Sequence, residues 1–153
     1  MARVPTWVVI LITSALLFGG LEVSSFLVQT QTDLDIERLR VAHQVSVVQF
    51  LSLGIFIETL EALFWTVAFI ELGAKLAKSP LFGAVLGVVG YSVVFHWSGG
   101  INAILVTGWI VLVLNASYLV LRERSRLMAV FSTVAQKIAF ITLAAVSLYP
   151  AGA

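Results

Sequence analysis

The chain has 153 residues, 60% of them hydrophobic and 11% charged, with a mean hydropathy of +1.06 and a formal net charge of +1. A soluble domain is about half apolar and about a quarter charged, so this composition excludes one and points to an integral membrane protein. The small net charge argues against nucleic acid as a partner, and the absence of cysteine removes a disulfide framework and a thiolate metal site.

In chain order, five apolar segments have roughly the ~20-residue length that a bilayer demands: residues 6–28, 45–72, 81–97, 101–120 and 127–148. The first follows Arg3 and is read as a retained span, because it runs past Gly19 and Gly20 to full span length. The second is long, and is expected to tilt or to break near Gly54. The weak ten-residue alternation of a barrel is absent, which leaves an all-α, polytopic bundle of about five helices forming a single domain over residues 1–153. No internal repeat is visible. The one sizeable connection, residues 29–44, places Ile36, Leu39 and Val41 on one side of a short helix that Asp33 would cap, which suits either a membrane-surface helix or a solvated loop.

Basic residues beside the spans set orientation. Arg3, Lys75, Lys78, Arg122, Arg124 and Arg126 fall on one side. Arg38 and Arg40 fall on the other, next to Asp33, Asp35 and Glu37. The N-terminus is therefore expected in the cytoplasm of a prokaryotic cell, with the C-terminus outside.

Six polar residues fall inside apolar segments: Glu22, Glu58, Glu61, His96, Asn115 and Lys137. Depth follows from the basic anchors at a rise of about 1.5 Å per residue. Glu61 lies about 21 Å from the level of Lys75, Glu58 about 26 Å, and His96 about 27 Å from the level of Lys78. The second and third segments are antiparallel neighbours through a short loop, so these three side chains are expected at one depth. Glu58 and Glu61 are spaced i, i+3 and share a helix face. Ionisable residues in a membrane face the bundle interior or a wet cavity. Two neighbouring carboxylates need a compensating charge, for which Lys137 and His96 are the nearest sources. A carboxylate beside an imidazole suits general-base work on water, and Glu58, Glu61 and His96 are the candidate catalytic set. The plainer alternative is a buried network that fixes helix packing, with a glutamate paired to Lys137. Glu22 reads as an interfacial residue and Asn115 as a helix–helix tie.

The order of these pieces resembles the CAAX protease and bacteriocin-processing (CPBP) family of intramembrane proteases. The stretch "LEALFWT", residues 60–66, lines up with that family's Glu-Glu motif, with Glu61 on the second Glu and Phe64 on the usual Phe. "SVVFH", residues 92–96, lines up with its Phe-and-His motif, and residues 107–131 share the outline of the following helix and its exit. The resemblance covers residues 56–140. It implies a CPBP-like four-helix core plus one N-terminal helix, a Glu that activates water, a His that assists, and a membrane-bound peptide substrate. Leu60 stands at the first Glu, Trp65 at the Arg and Ser92 at the Phe. The last-helix His falls near Val134, with Gln136 and Lys137 the nearest polar residues. Glu58, one turn from Glu61, is the available substitute for the missing carboxylate. These departures make a non-catalytic relative, a subunit of a larger membrane assembly, the alternative.

Other chemistries have thinner sequence support. Haem or pigment ligation by His43 and His96 needs a break near Gly54 to bring the two level. A metal held by Glu58, Glu61 and His96 lacks the His-Glu-x-x-His spacing. A serine nucleophile at Ser98, in "HWSGG", has no third group nearby. The expectation is therefore no cofactor and no metal, with the lipid bilayer and other membrane subunits or a peptide as partners.

Overall fold

The computed structural model describes residues 4–27 and 45–148. Among them the chain is helical, with no strand. Five helices form: α1 (Thr6–Leu27), α2 (Val47–Leu76), α3 (Pro80–Phe95), α4 (Gly100–Arg122) and α5 (Arg126–Leu148). A single 3₁₀ turn, Trp97–Gly99, joins α3 to α4.

Local signals explain the helix starts. Ser46 Oγ accepts from the Gln49 amide while Gln49 Oε1 accepts from the Ser46 amide, a capping box that opens α2. Ser79 Oγ accepts from the Phe82 amide and Pro80 occupies the first turn, which opens α3. Between them the chain reverses in three residues, with Ser79 N–H bonded back to the Gly73 carbonyl at 3.1 Å. Gly100, at φ +74°, turns the chain into α4 where a side chain would be strained.

Helix α4 is the centre of the bundle and packs against α1, α3, α5 and the middle of α2. Leu17 of α1, Ile110 and Leu114 of α4 and Phe140 of α5 form one core cluster. Phe50 of α2 with Ile141 and Ala145 of α5 form another. The α2–α3 hairpin crosses at Gly73 and Gly83, so closely that a Cβ on Gly83 would lie 2.1 Å from the Phe69 carbonyl oxygen.

The distribution of polarity is that of a protein solvated by hydrocarbon. Thr66, Asn115, Ser117, Thr133, Gln136 and Lys137 are buried, while Leu53, Phe56, Val94, Leu105 and Phe131 are exposed. In water such a surface would be an aggregation hazard; in lipid it faces a solvent as apolar as itself, and polar side chains turn inward. Helices α2 and α4, and α5 as far as Leu143, are long and apolar enough to cross a membrane; Thr6–Gly20 and Pro80–Phe95 are shorter apolar stretches.

The expected break near Gly54 does not form. Helix α2 runs through that residue, whose missing side chain instead lets Ile141 of α5 approach: a Cβ there would lie 2.6 Å from Ile141 Cγ1. The irregularity lies further on, where Ala62–Ala68 adopt π-helical turns, and α3 has a matching stretch at Gly90–Phe95. Such turns open the helix by one residue and recur at functional sites.

Candidate functional site

The two π-helical stretches bracket a polar cluster inside the bundle. Glu58 and Glu61 project from α2 just before the first of them. Tyr91 lies in the second, and Lys137 reaches in from α5. Lys137 Nζ donates to Glu58 Oε2, and to Glu61 Oε2 at 3.2 Å. Tyr91 Oη donates to the same Glu61 oxygen at 2.6 Å. The ammonium also lies 5.3 Å from the centroid of the Tyr91 ring, where the ring face attracts a cation. One ammonium thus ties both carboxylates and a phenol into a unit drawn from three helices.

Burial makes these contacts strong. The Lys137 side chain is 2% exposed and that of Glu58 9%, whereas Glu61 keeps 17%. An ion pair in a low-dielectric interior survives only when its remaining bonds are satisfied, and here Tyr91 supplies one of them. Replacing Tyr91 by Phe removes a single hydrogen bond to a carboxylate and keeps the ring. The expected loss is about 1–2 kcal/mol of stability, measurable by unfolding in mixed micelles.

His96 closes α3 and stands edge-on to Tyr91, with ring centroids 4.6 Å apart, and edge-on to Phe95 at 5.2 Å. Among the candidate catalytic residues, then, Glu58 and Glu61 share Lys137, and His96 packs on the tyrosine that holds Glu61. Ser98 is exposed on the 3₁₀ turn just beyond. The imagined Glu58–Glu61–His96 metal set finds no counterpart: among the described residues no group of three His, Asp or Glu side chains is arranged to hold a metal. His43 lies outside the described residues, as does the side chain of Glu22, and the break in α2 that would bring His43 level with His96 is missing.

Two further ties fix the surroundings. Asn115 Nδ2 donates to the Ala84 carbonyl at 2.9 Å, joining α4 to α3. Gln136, next to Lys137, donates to Thr13 Oγ1 at 2.8 Å, and Thr13 in turn reaches Ser117 Oγ at 3.3 Å, joining α5, α1 and α4. Polar contacts of this kind are the usual glue between helices in lipid.

Sequence reasoning missed Tyr91. On an α-helix, residues five apart point about 140° away from each other, so Tyr91 and His96 are not expected on one face. The π-helical turns bring them together by spacing bonded residues five apart. The sequence signal is a tyrosine, with its polar tip, in a largely apolar span.

No protein-family model, no curated protein and no solved structure matches the chain.

Proposed function

We propose that this chain is a non-catalytic integral membrane protein, a CPBP-like bundle of five spans with its N-terminus in the cytoplasm, acting as an accessory subunit of a larger membrane assembly. One observation carries the reading: Lys137 is seated between Glu58 and Glu61, where a hydrolase would hold its water. A general base needs a carboxylate oxygen turned to the proton it removes. Here the Oε2 atoms of both glutamates face the same ammonium. The short connections Ala77–Ser79 and Glu123–Ser125 leave no soluble lobe between these helices for separate chemistry.

A second reading, peptide hydrolysis at the membrane surface, draws on one feature. Glu61 is more exposed than Glu58 and shares Tyr91 with His96. In that case Glu61 acts on water and His96 orients it.

The test is the purified full chain in lipid nanodiscs, incubated with internally quenched, lipidated peptides. The expected result is no cleavage above the Glu61→Gln background, together with a stoichiometric membrane partner when the chain is isolated from its own membranes after mild crosslinking. Turnover that Glu61→Gln abolishes overturns the proposal in favour of the hydrolase. Isolation as a lone chain removes the subunit role.

A further inference from the structure

A second charged cluster, at the opposite end of α2 from its capping box, shares no residue with the Lys137 cluster. Glu71 Oε1 accepts from Tyr118 Oη at 3.0 Å and from Arg122 Nε at 2.5 Å, and its Oε2 accepts from a terminal Arg122 nitrogen at 3.2 Å. Arg126 Nε lies 3.7 Å from the same carboxylate. One acid therefore gathers guanidiniums from the end of α4 and the start of α5. Lys75 follows one turn later on α2, and Lys78 sits in the α2–α3 reversal. Arg124 is engaged elsewhere, donating to Thr6 Oγ1 at 2.9 Å and to the Val4 carbonyl.

The charge at this end is unbalanced. Lys75, Lys78, Arg122, Arg124 and Arg126 stand against Glu71 and Glu123, which is five positive minus two negative charges, or +3. Arg122 is consumed by its two-pronged bond to Glu71. Lys75, Lys78 and Arg126 are exposed, and the two lysines form no ion pair with any described residue. Lys78 also has φ 54°, the left-handed position after a helix end where glycine is the relaxed choice. A lysine there strains the turn and in return places a charge at the tip of the hairpin. Exposed leucines flank these cations: Leu76 is 77% exposed, with Leu81 and Leu127 also open.

We propose that this end of the bundle is a binding site for an anionic phospholipid, with Lys75, Lys78 and Arg126 on the headgroup phosphate and Leu76, Leu81 and Leu127 along the acyl chains. Glu71 holds Arg122 and orients Arg126 without neutralising the patch. The apolar flank distinguishes a lipid from a free anion, because inorganic phosphate has nothing to lay against leucine. The first turns of α3 and α5 open at this same end and add the positive poles of two helix dipoles.

The test is native mass spectrometry of the full chain released from micelles holding phosphatidylglycerol and phosphatidylcholine of identical acyl chains. Phosphatidylglycerol is expected to be retained preferentially. Each of Lys75→Gln, Lys78→Gln and Arg126→Gln should cut that preference about fivefold, and it should weaken as salt is raised. Lys78→Gly separates charge from fold: relief of the left-handed residue should raise Tm by roughly 2–4 °C while the lipid preference falls. Equal retention of the two lipids by the wild type overturns the proposal, as does a preference unmoved in the triple glutamine variant with native helicity. Displacement of phosphatidylglycerol by millimolar inorganic phosphate would make this a soluble-anion site and overturn the lipid assignment.

Discussion

Replacing Lys137 by methionine is expected to cost about 3–5 kcal/mol of stability, the price of leaving buried charge without its partner. Methionine fills much the same volume, so the loss is electrostatic and not a cavity. Glu58 and Glu61, 9% and 17% exposed, would lose their shared ammonium, while Tyr91 still bonds Glu61. The triple variant Glu58→Gln, Glu61→Gln, Lys137→Met removes all three charges and should recover most of the stability, because a neutral, well-packed replacement of an ionic cluster is often no worse than the original. Reversible unfolding in mixed micelles measures both. A loss under about 1 kcal/mol for Lys137→Met would mean that water already solvates the carboxylates, and the hydrolase reading would gain ground.

A β-branched side chain at Gly83 is expected to be as damaging for a different reason. The Cβ of Gly83→Val would run into the α2 backbone, with the Phe69 carbonyl oxygen at 2.1 Å and Ile70 Cα at 2.9 Å. Neither can rotate away, so α2 and α3 must separate. Contacts that depend on that crossing, including Tyr91 with Glu61, would go with it. The expected cost exceeds about 3 kcal/mol. Gly19→Ala is the control, since a Cβ at Gly19 meets nothing within 4 Å; it should stay within about 0.5 kcal/mol of wild type. If Gly83→Val unfolds no more easily than Gly19→Ala, the close hairpin is wrong.

Much of the architecture was legible because a bilayer asks little of a sequence: length, apolarity and basic flanks. Helices at Thr6–Leu27, Gly100–Arg122 and Arg126–Leu148 begin and end within a few residues of the expected segments 6–28, 101–120 and 127–148. Counting residues back from Lys75 and forward from Lys78 gives one expected depth for Glu58, Glu61 and His96; the structure links Glu61 to the His96 end of α3 through Tyr91. The pairing of a glutamate with Lys137 was also readable as the plainer of two alternatives, since a buried acid seeks a base.

What counting does not supply is phase. Periodicity assumes 3.6 residues per turn throughout, and here the second and third helices both depart from it at the site. That departure puts Tyr91 on Glu61 and against His96. Gly54 shows the same limit: a glycine in a helix signals a break or a close neighbour, and only the position of Ile141 decides between them.

The sequence by itself determined the apolar, membrane-suited character of this protein and its all-helical class, because those follow from transfer energies and from the need to satisfy backbone groups in an apolar solvent. The tertiary structure alone decided which carboxylate oxygens meet which donors, that Lys137 serves both glutamates at once, and that Tyr91 belongs to the cluster. Those depend on helix rotation and on contacts far apart in the chain, from Glu58 to Lys137 and from Glu71 to Arg122, which no local pattern encodes.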